Sequence, residues 1–339
     1  MADYKLLWDD PSWQQKAHAW IFSEANLNDI QLVGEIAQPH IRHWSTVMSV
    51  PSAEGMLFFK AVAPETISEI PLTKKLTEWY PDDMLELIAI DAKNGWMLMR
   101  DGGEQLRTLI RPTKNIKPWE SVIQRYAELQ IGLSKHVDEM LITGIPDHRL
   151  ALLPLVYGEL LVDEESLMLG QEKGLTDEEF VKCQSSQSRF EKICTDLAVF
   201  GIPESLNHGD FHDGNVLSKD GQITFFDWGD ADITHPFVSL RTFFVSIEMS
   251  LDLDEYAFTP EMAGLLDVYL KPFEKYASKD DLRKAFGLSK PVSSIIKTMA
   301  WKESITRMDE TMRPDYAWIV PELLREFLHH MEALLESKN

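Results

Sequence analysis

The sequence predicts an α+β protein in two parts, a small antiparallel sheet with one helix followed by a larger, mainly helical part. Up to about residue 100, short runs of β-branched and apolar residues alternate with turn signals, as expected for strands. After Asp101-Gly102-Gly103, apolar residues recur at three- and four-residue spacing, which is typical of helices. We therefore expect an N-terminal domain over residues 1–100 and a C-terminal domain over residues 101–339.

Five strands and one helix are predicted in the N-terminal part. The helix covers about residues 68–79 and lies between the third and fourth strands. A hairpin turn at 51–55 joins the second and third strands. The strands cover about residues 30–36, 45–50, 56–62, 85–90 and 96–99.

The C-terminal part is predicted to be helical, with one interruption. Its first helix has an apolar face that runs over residues 119–140. The interruption is a loop with a short pair of strands between residues 206 and 229. Further helices are expected at about 147–169, 176–200, 261–277, 291–310 and from Pro321 onwards.

The composition is that of a globular protein, with 44% hydrophobic and 26% charged residues. The start of the chain lacks the pattern of a signal peptide, and no apolar run is long enough to span a bilayer. Cys183 and Cys194 fall in one predicted helix, about 16 Å apart and beyond disulfide reach. We therefore expect a cytoplasmic protein without membrane contact, in a reducing compartment.

The formal net charge is −22. Such a charge repels nucleic acid, and no basic stripe offsets it, so we expect no nucleic-acid partner. The charge is compatible with a cationic small-molecule substrate, although solubility is the simpler explanation. The oligomeric state is left open.

The densest group of reactive side chains is His-Gly-Asp-Phe-His-Asp-Gly-Asn at residues 208–215. A turn at 219–221 and a strand at 223–226 follow, and then Asp-Trp-Gly-Asp at 227–230. Small and polar residues placed between apolar strands are typical of a loop that presents functional groups on a rigid scaffold.

This pattern resembles the aminoglycoside phosphotransferase and choline kinase type of the protein-kinase-like fold. The matched motif is His-x-Asp-x-x-x-x-Asn, followed about a dozen residues later by Asp-x-Gly on a new strand. Its fixed positions are filled by His208, Asp210, Asn215, Asp227 and Gly229. The resemblance covers much of the chain, about residues 30–240. It implies two lobes around a cleft and an enzyme that moves the γ-phosphate of ATP or GTP, with Mg²⁺, to a hydroxyl group of a small molecule.

The resemblance also implies roles for the motif residues. Asp210 would orient the acceptor hydroxyl and receive its proton, and His208 would brace the loop from beneath. Asn215 and Asp227 would hold Mg²⁺, because carboxylate and amide oxygens suit that hard cation. Phosphoryl transfer depends mostly on positioning and charge neutralisation, which these residue types supply. His212 and Asp213 receive no role.

The N-terminal part contains a candidate for the lysine that pairs with the nucleotide phosphates. Lys60 lies alone in the middle of the apolar strand 56–62. Because of the motif downstream, we assign it to the phosphates and not to a water-facing strand edge. We choose Glu69 as its carboxylate partner over Glu65 and Glu78, although the interval from Lys60 is short for the family.

The loop that would cover the phosphates differs from that of protein kinases, because its turn at residues 39–45 contains no glycine. The backbone amides of Ser45 and Thr46 could still bind phosphate, and an ordinary basic loop is an equal alternative. The resemblance places adenine near residues 97–100, as a location only.

Two features argue against a protein kinase. Gly209 occupies the position where protein kinases usually carry an arginine, and the chain after Asp227 runs into a helix without a long activation segment. Acidic and aromatic groups of the C-terminal helices would then bind a small acceptor. The acidic candidates, most of them expected to be plain surface charges, are Asp230, Asp232, Glu248, Asp252, Asp254 and Glu255.

Two other functions stay open. One is a metal-dependent hydrolase built on His208, Asp210 and His212, which would leave Asn215 and Lys60 without a role. The other is a catalytically silent relative that binds nucleotide, which the glycine-free turn favours and the complete motif does not.

Overall fold

The computed structural model describes residues 7–336 and confirms the predicted α+β class. The strands of these residues, in chain order, are β1 Ala37–Ile41, β2 Ser45–Ser52, β3 Gly55–Val62, β4 Leu87–Asp91, β5 Trp96–Arg100, β6 Glu104–Gln105, β7 Ser205–Asn207, β8 Val216–Lys219, β9 Gln222–Phe225 and β10 Asp232–Thr234.

The α-helices of the same residues, again in chain order, are α1 Pro11–Leu27, α2 Glu69–Trp79, α3 Leu106–Thr113, α4 Trp119–Leu133, α5 Val137–Leu141, α6 Leu153–Leu161, α7 Glu164–Leu167, α8 Asp177–Ser185, α9 Gln187–Ala198, α10 Leu240–Leu251, α11 Pro260–Leu270, α12 Lys279–Arg307, α13 Arg313–Tyr316 and α14 Ile319–Glu336.

The described chain divides into two compact units. The first extends to Leu106 and also includes Gly214–Gly229, so the chain enters it twice. The second contains Arg107–Asp213 and the chain from Asp230 onwards. The predicted division into a nucleotide-binding domain at residues 1–100 and a catalytic domain at residues 101–339 stays a prediction.

Five strands of the first unit form an antiparallel sheet in the order β1-β2-β3-β5-β4. Successive side chains of a strand point to opposite faces. Phe59 and Trp96 therefore share one face, where they pack against Trp13 of α1 in an aromatic core. Lys60 and its cross-strand neighbour Met97 lie on the other face.

Helix α1 is absent from the sequence prediction, and the strand predicted at 30–36 is wrong. In that range only Leu32 makes an isolated bridge, and the first strand begins at Ala37. The buried residues of α1 recur every fourth position as a narrow stripe: Trp13, Ala17, Ile21 and Ala25. Asp10 caps the helix by accepting a hydrogen bond from the Ser12 amide at 2.9 Å. The start signal was therefore present in the sequence.

The second unit is mainly helical, with β7 and β10 as a two-stranded antiparallel sheet. Its longest helix, α12, begins at Lys279 and not at the predicted residue 291. Pro291 is typical of a helix start, but the helix runs through it. The true start is capped by Ser278, whose hydroxyl accepts from the Asp281 amide at 3.2 Å.

Cys183 lies in α8 and Cys194 lies in α9. Ser186 separates these two helices, so the prediction of a single helix is wrong. Both thiols are buried and free. Burial raises the pKa of Cys183 to about 11, which makes this thiol a poor nucleophile at neutral pH. No helix within residues 7–336 is both long and apolar enough to span a membrane.

Candidate active site

The first unit holds Lys60 in a buried ion-pair network. Its side chain is 9% exposed, and Nζ lies 2.5 Å from Glu69 Oε1 and 2.5 Å from Asp227 Oδ1. Burial alone would lower the pKa of this ammonium, but Asp227 and Glu69 raise it above its ordinary value. Lys60 is therefore charged at any physiological pH.

Glu69 is placed for this contact by the start of α2, where it is the first residue and 3% exposed. The chain passes close to it at Gly229, where an added Cβ would lie 3.1 Å from Glu69 Oε2. Glycine in the Asp-x-Gly motif therefore leaves room for the carboxylate that binds Lys60. The structure brings together the residues that we chose as the lysine and its partner.

Asn215 and Asp227 are brought to the same end of the β8–β9 hairpin. Val216 pairs with Phe225 in this hairpin, and the amide of Phe226 donates to the carbonyl of Asn215 at 3.3 Å. The residue that precedes β8 and the residue that follows Phe226 are thus neighbours in space. Asp227 has φ = 67°, a left-handed conformation that Asp and Asn tolerate better than most residues.

The donor set at this end of the hairpin fits a hard divalent cation. Asp227 offers a carboxylate that is 46% exposed, and Asn215 offers an amide oxygen. Oxygen donors of this kind suit Mg²⁺. The roles of both residues stay a prediction.

The turn before β2 is shorter than predicted. β1 extends to Ile41 and β2 begins at Ser45, so only residues 42–44 form the turn. Ser45 and Thr46 are buried within β2, and the Thr46 hydroxyl donates to the His40 carbonyl at 2.8 Å. Phosphate binding by their backbone amides stays a prediction.

Trp8 fixes the backbone of the turn, because its Nε1 donates to the Arg42 carbonyl at 2.6 Å. Close to it, burial lowers the pKa of His40, and the nearby charge of Arg42 lowers it further. His40 is therefore neutral at physiological pH.

The predicted adenine location, residues 97–100, is divided between apolar and charged surroundings. Met97 and Met99 are buried in an apolar cluster with Val62, Ile70, Leu85 and Leu217. Arg100 pairs with Glu54 and Glu86, each at 3.0 Å. The structure does not test adenine binding here.

The second unit carries the loop at residues 208–213, and aromatic packing fixes its position. The ring of Phe211 stacks on Tyr126, with centroids 3.9 Å apart. The Tyr126 hydroxyl accepts from the amide of His208 at 3.1 Å. His208 is fully buried, as a residue that braces the loop would be, although this role stays a prediction.

Gly209 has φ = 74° and packs directly on the backbone of Asp230. An added Cβ would lie 2.8 Å from Asp230 Cβ and closer still to the Asp230 carbonyl. Position 209 therefore has no room for the arginine that protein kinases carry there.

Asp210, the predicted acceptor of the proton, lies in this loop with a side chain that is 37% exposed. Oδ2 lies 3.1 Å from His212 Nε2, and Oδ1 lies 3.8 Å from Lys297 Nζ. Burial alone would raise the pKa of this carboxyl, but Lys297 and His212 together hold it below its ordinary value. The carboxylate form needed to accept a proton is the stable form at neutral pH.

Asp213, which received no role from the sequence, is a buried anchor. Arg111 binds it in a bidentate contact at 2.8 and 3.1 Å, and Arg107 lies 3.5 Å away. The Ser250 hydroxyl donates to the same carboxylate at 3.3 Å. Bidentate guanidinium–carboxylate pairs fix orientation as well as charge. Asp213 thus ties the end of the loop to α3 and α10.

Asn207 is a second supporting residue that the sequence prediction lacks. Its amide donates to Asp232 Oδ1 at 2.8 Å and accepts from the Ser239 hydroxyl at 2.7 Å. Asp232 also binds His148 Nδ1 at 2.6 Å. Only the position of Asn207, directly before the motif, could have drawn attention to it.

The group of His208, Asp210 and His212 does not form a metal-binding cluster. Within residues 7–336, no three His, Cys, Asp or Glu side chains are arranged to hold a metal ion. The geometry therefore gives the hydrolase alternative no support.

A model of the phosphotransferase enzyme family matches residues 138–247 of the chain. This range contains both the loop with Asp210 and the hairpin with Asn215 and Asp227. A comparison with curated proteins gave no match.

Several solved structures are similar to nearly the whole chain. Ethanolamine kinase of Plasmodium vivax shares 13% identity over 97% of this chain and 89% of its own, with a TM-score of 0.55. Macrolide 2′-phosphotransferase of Brachybacterium faecium shares 13% identity over 89% of this chain and 97% of its own, with a TM-score of 0.57. APH(2″)-IIa in its ternary complex with streptomycin and ATP shares 18% identity over 91% of this chain and 96% of its own, with a TM-score of 0.55.

At these identities the solved structures show the fold, which is protein-kinase-like. The family match over residues 138–247 supports the predicted enzyme class, a phosphotransferase. The comparisons thus confirm the resemblance of this chain to the phosphotransferase enzyme family.

Proposed function

We propose that the protein transfers the γ-phosphate of a nucleoside triphosphate, ATP or GTP, to a hydroxyl group of a small molecule, with Mg²⁺ as cofactor. The observation that carries the proposal is the buried Lys60, held between Glu69 and Asp227 at 2.5 Å each. A lysine ordered between a helix carboxylate and the Asp-x-Gly aspartate is an arrangement that serves phosphoryl transfer.

Lys60 can exchange its contact with Asp227 for another partner at a small cost in free energy. Its contact with Glu69 is buried, so it persists, whereas Asp227 is 46% exposed and water can replace the lysine there. When nucleotide binds, Lys60 turns from Asp227 to the phosphates. Asp227 and Asn215 are then available as oxygen ligands of Mg²⁺, which supplies neutralisation of the phosphate charge.

Asp210 acts on the acceptor. Its carboxylate accepts a hydrogen bond from the acceptor hydroxyl and takes the proton as the oxygen attacks phosphorus. A residue in this role contributes about 10² to 10⁴ in rate. Because its pKa is depressed, Asp210 is ionised at neutral pH and can accept this proton.

The acceptor is a small molecule with a hydroxyl group, and its charge is left open. Three of the acidic residues considered for binding a cation are already ion-paired: Asp230 with Lys297, Asp232 with His148 and Asp252 with Lys114. These carboxylates therefore do not favour a cationic acceptor over a neutral one. The buried free thiols fit the cytoplasmic location that we propose.

Calorimetric titration with ATP and with GTP, each with and without Mg²⁺, tests the proposal. We expect Mg²⁺-dependent binding that Asp227→Asn abolishes, since Asn keeps the left-handed backbone but loses the charge. Asp210→Asn should bind nucleotide normally and lose about 10² to 10⁴ in turnover. Absence of nucleotide binding by the wild type would refute the proposal, and binding without turnover on any hydroxyl acceptor would favour a silent relative.

A further inference from the structure

Helix α12 brings a lysine to the loop that carries Asp210. Lys297 Nζ donates to the carbonyl of Gly209 at 2.9 Å, the peptide directly before Asp210. The same ammonium lies 3.4 Å from Asp230 Oδ2 and 3.8 Å from Asp210 Oδ1. The Lys297 side chain is 14% exposed, so these contacts form away from most of the solvent.

The second oxygen of Asp210 is bound by His212. Arg107 Nη2 lies 3.3 Å from His212 Nδ1, and a guanidinium can only donate, so Nδ1 must accept. The proton of the neutral ring is then on Nε2, which donates to Asp210 Oδ2 at 3.1 Å. His212 is therefore a fixed donor, with its tautomer set by Arg107.

We propose that Lys297 is a positioning residue for the phosphoryl transfer, which holds the Gly209–Asp210 peptide in place and sets a positive charge beside the Asp210 carboxylate. This inference rests on the function proposed above. It adds a residue that lies far beyond Asp210 in the sequence and outside every motif of the resemblance.

The charges around Asp210 explain why a cation is needed. Burial disfavours the carboxylate, and Asp230 is a second acid that binds the same lysine. The opposing groups are Lys297, whose charge is the first of the influences that lower the pKa of Asp210, then His212 and His208. Without Lys297, Asp210 would keep the cost of its burial and lose one of the cations that oppose it, which favours protonation of its carboxylate.

A purely structural lysine would need only the contact with the Gly209 carbonyl. The two roles separate when the hydrogen bond and the charge are removed independently. Lys297→Gln retains an N–H donor for the carbonyl but carries no charge, whereas Lys297→Arg retains the charge. Lys284→Met is the matched control, because Lys284 lies on the same helix and binds only the exposed Asp281 at 2.9 Å.

The test measures ADP formation from ATP and Mg²⁺, with water as the acceptor, between pH 4.5 and 8. Asp210→Asn gives the background. We expect Lys297→Gln to lower the rate about ten- to a hundredfold with the KM for ATP unchanged. Lys297→Arg retains the charge and should keep most of the wild-type rate, and Lys284→Met should behave as wild type. A rate of Lys297→Gln equal to that of wild type, or equal losses in Lys297→Gln and Lys297→Arg, would overturn the proposal.

A double-mutant cycle on unfolding by denaturant does not depend on activity. If Lys297 supports the charge of Asp210, the combined Lys297→Gln and Asp210→Asn variant should unfold less readily than the two single effects predict, by a factor of about three to ten in the equilibrium constant. Additive effects would overturn the positioning role. Coupling in a protein whose ADP formation does not depend on Asp210 would instead refute the proposed function while the contact stands.

Discussion

Replacement of Lys60 by Met should destabilise the protein through one specific buried carboxylate. Glu69 is 3% exposed, and the substitution removes the cation that pairs with this buried carboxylate, which costs about 3–5 kcal/mol. The contact with Asp227 adds at most about 1 kcal/mol, because that carboxylate is 46% exposed and water can replace the lysine. Nearly all of the expected loss therefore comes from Glu69.

The measurement is the free energy of unfolding from denaturant titration at pH 7. Lys74→Met is the matched control, since Lys74 binds Glu78 at 3.6 Å with both side chains 56% exposed, and it should cost less than about 0.5 kcal/mol. Adding Glu69→Leu to Lys60→Met should restore most of the stability, because the buried charge is removed together with its partner. A loss below about 1 kcal/mol in Lys60→Met, or no recovery in the double variant, would refute the reasoning.

Two further predictions concern a glycine and a buried acid. Gly209→Ala should lower steady-state turnover about a hundredfold, because a side chain there collides with the backbone of Asp230 and shifts Asp210. Gly264→Ala is the control, because its new Cβ would meet no neighbouring part of the structure within 4 Å. Burial, followed by Glu255 and Glu326, raises the pKa of Glu248 to about 7. Between its ordinary pKa of 4.5 and about 7 the folded protein holds a proton that the unfolded chain releases, so the free energy of unfolding should fall as pH rises through this window. Glu248→Gln should lack this contribution to the fall. If the free energies of unfolding of Glu248→Gln and wild type differ by the same amount at pH 5 and pH 8, the prediction is wrong.

The motif residues could be predicted from the sequence because each depends on short-range spacing. Asn215 and Asp227 flank the predicted pair of strands, and the hairpin that the structure forms there pairs Val216 with Phe225 and brings the two residues together. Lys60 could be chosen because the motif downstream gave a role to a lone lysine in an apolar strand. Its pairing with Glu69 followed from the helix that begins just after the strand.

Residues that act on the loop from distant helices could not be predicted in this way. Lys297, Arg107 and Arg111 lie on amphipathic helices where a basic residue looks like ordinary surface charge. Only the packing of α3 and α12 against the loop gives them partners. Helix α1 is a different case, since its cap and its four-residue apolar spacing were present in the sequence.

The four aspartates of the loop and hairpin show why composition does not assign chemistry. Asp213 is fully buried, and its carboxylate anchors the loop by binding Arg111 and Arg107. Asp227 is half exposed and shares a lysine, so it can exchange that lysine for another cation. Asp210 is one-third exposed and lies between the imidazole of His212 and the ammonium of Lys297, so its carboxylate has two partners and remains accessible. Asp230 contributes its backbone to Gly209 and its carboxylate to Lys297. Under the proposed function, the same side chain would thus serve as anchor, metal ligand, base or support according to its burial and its partner.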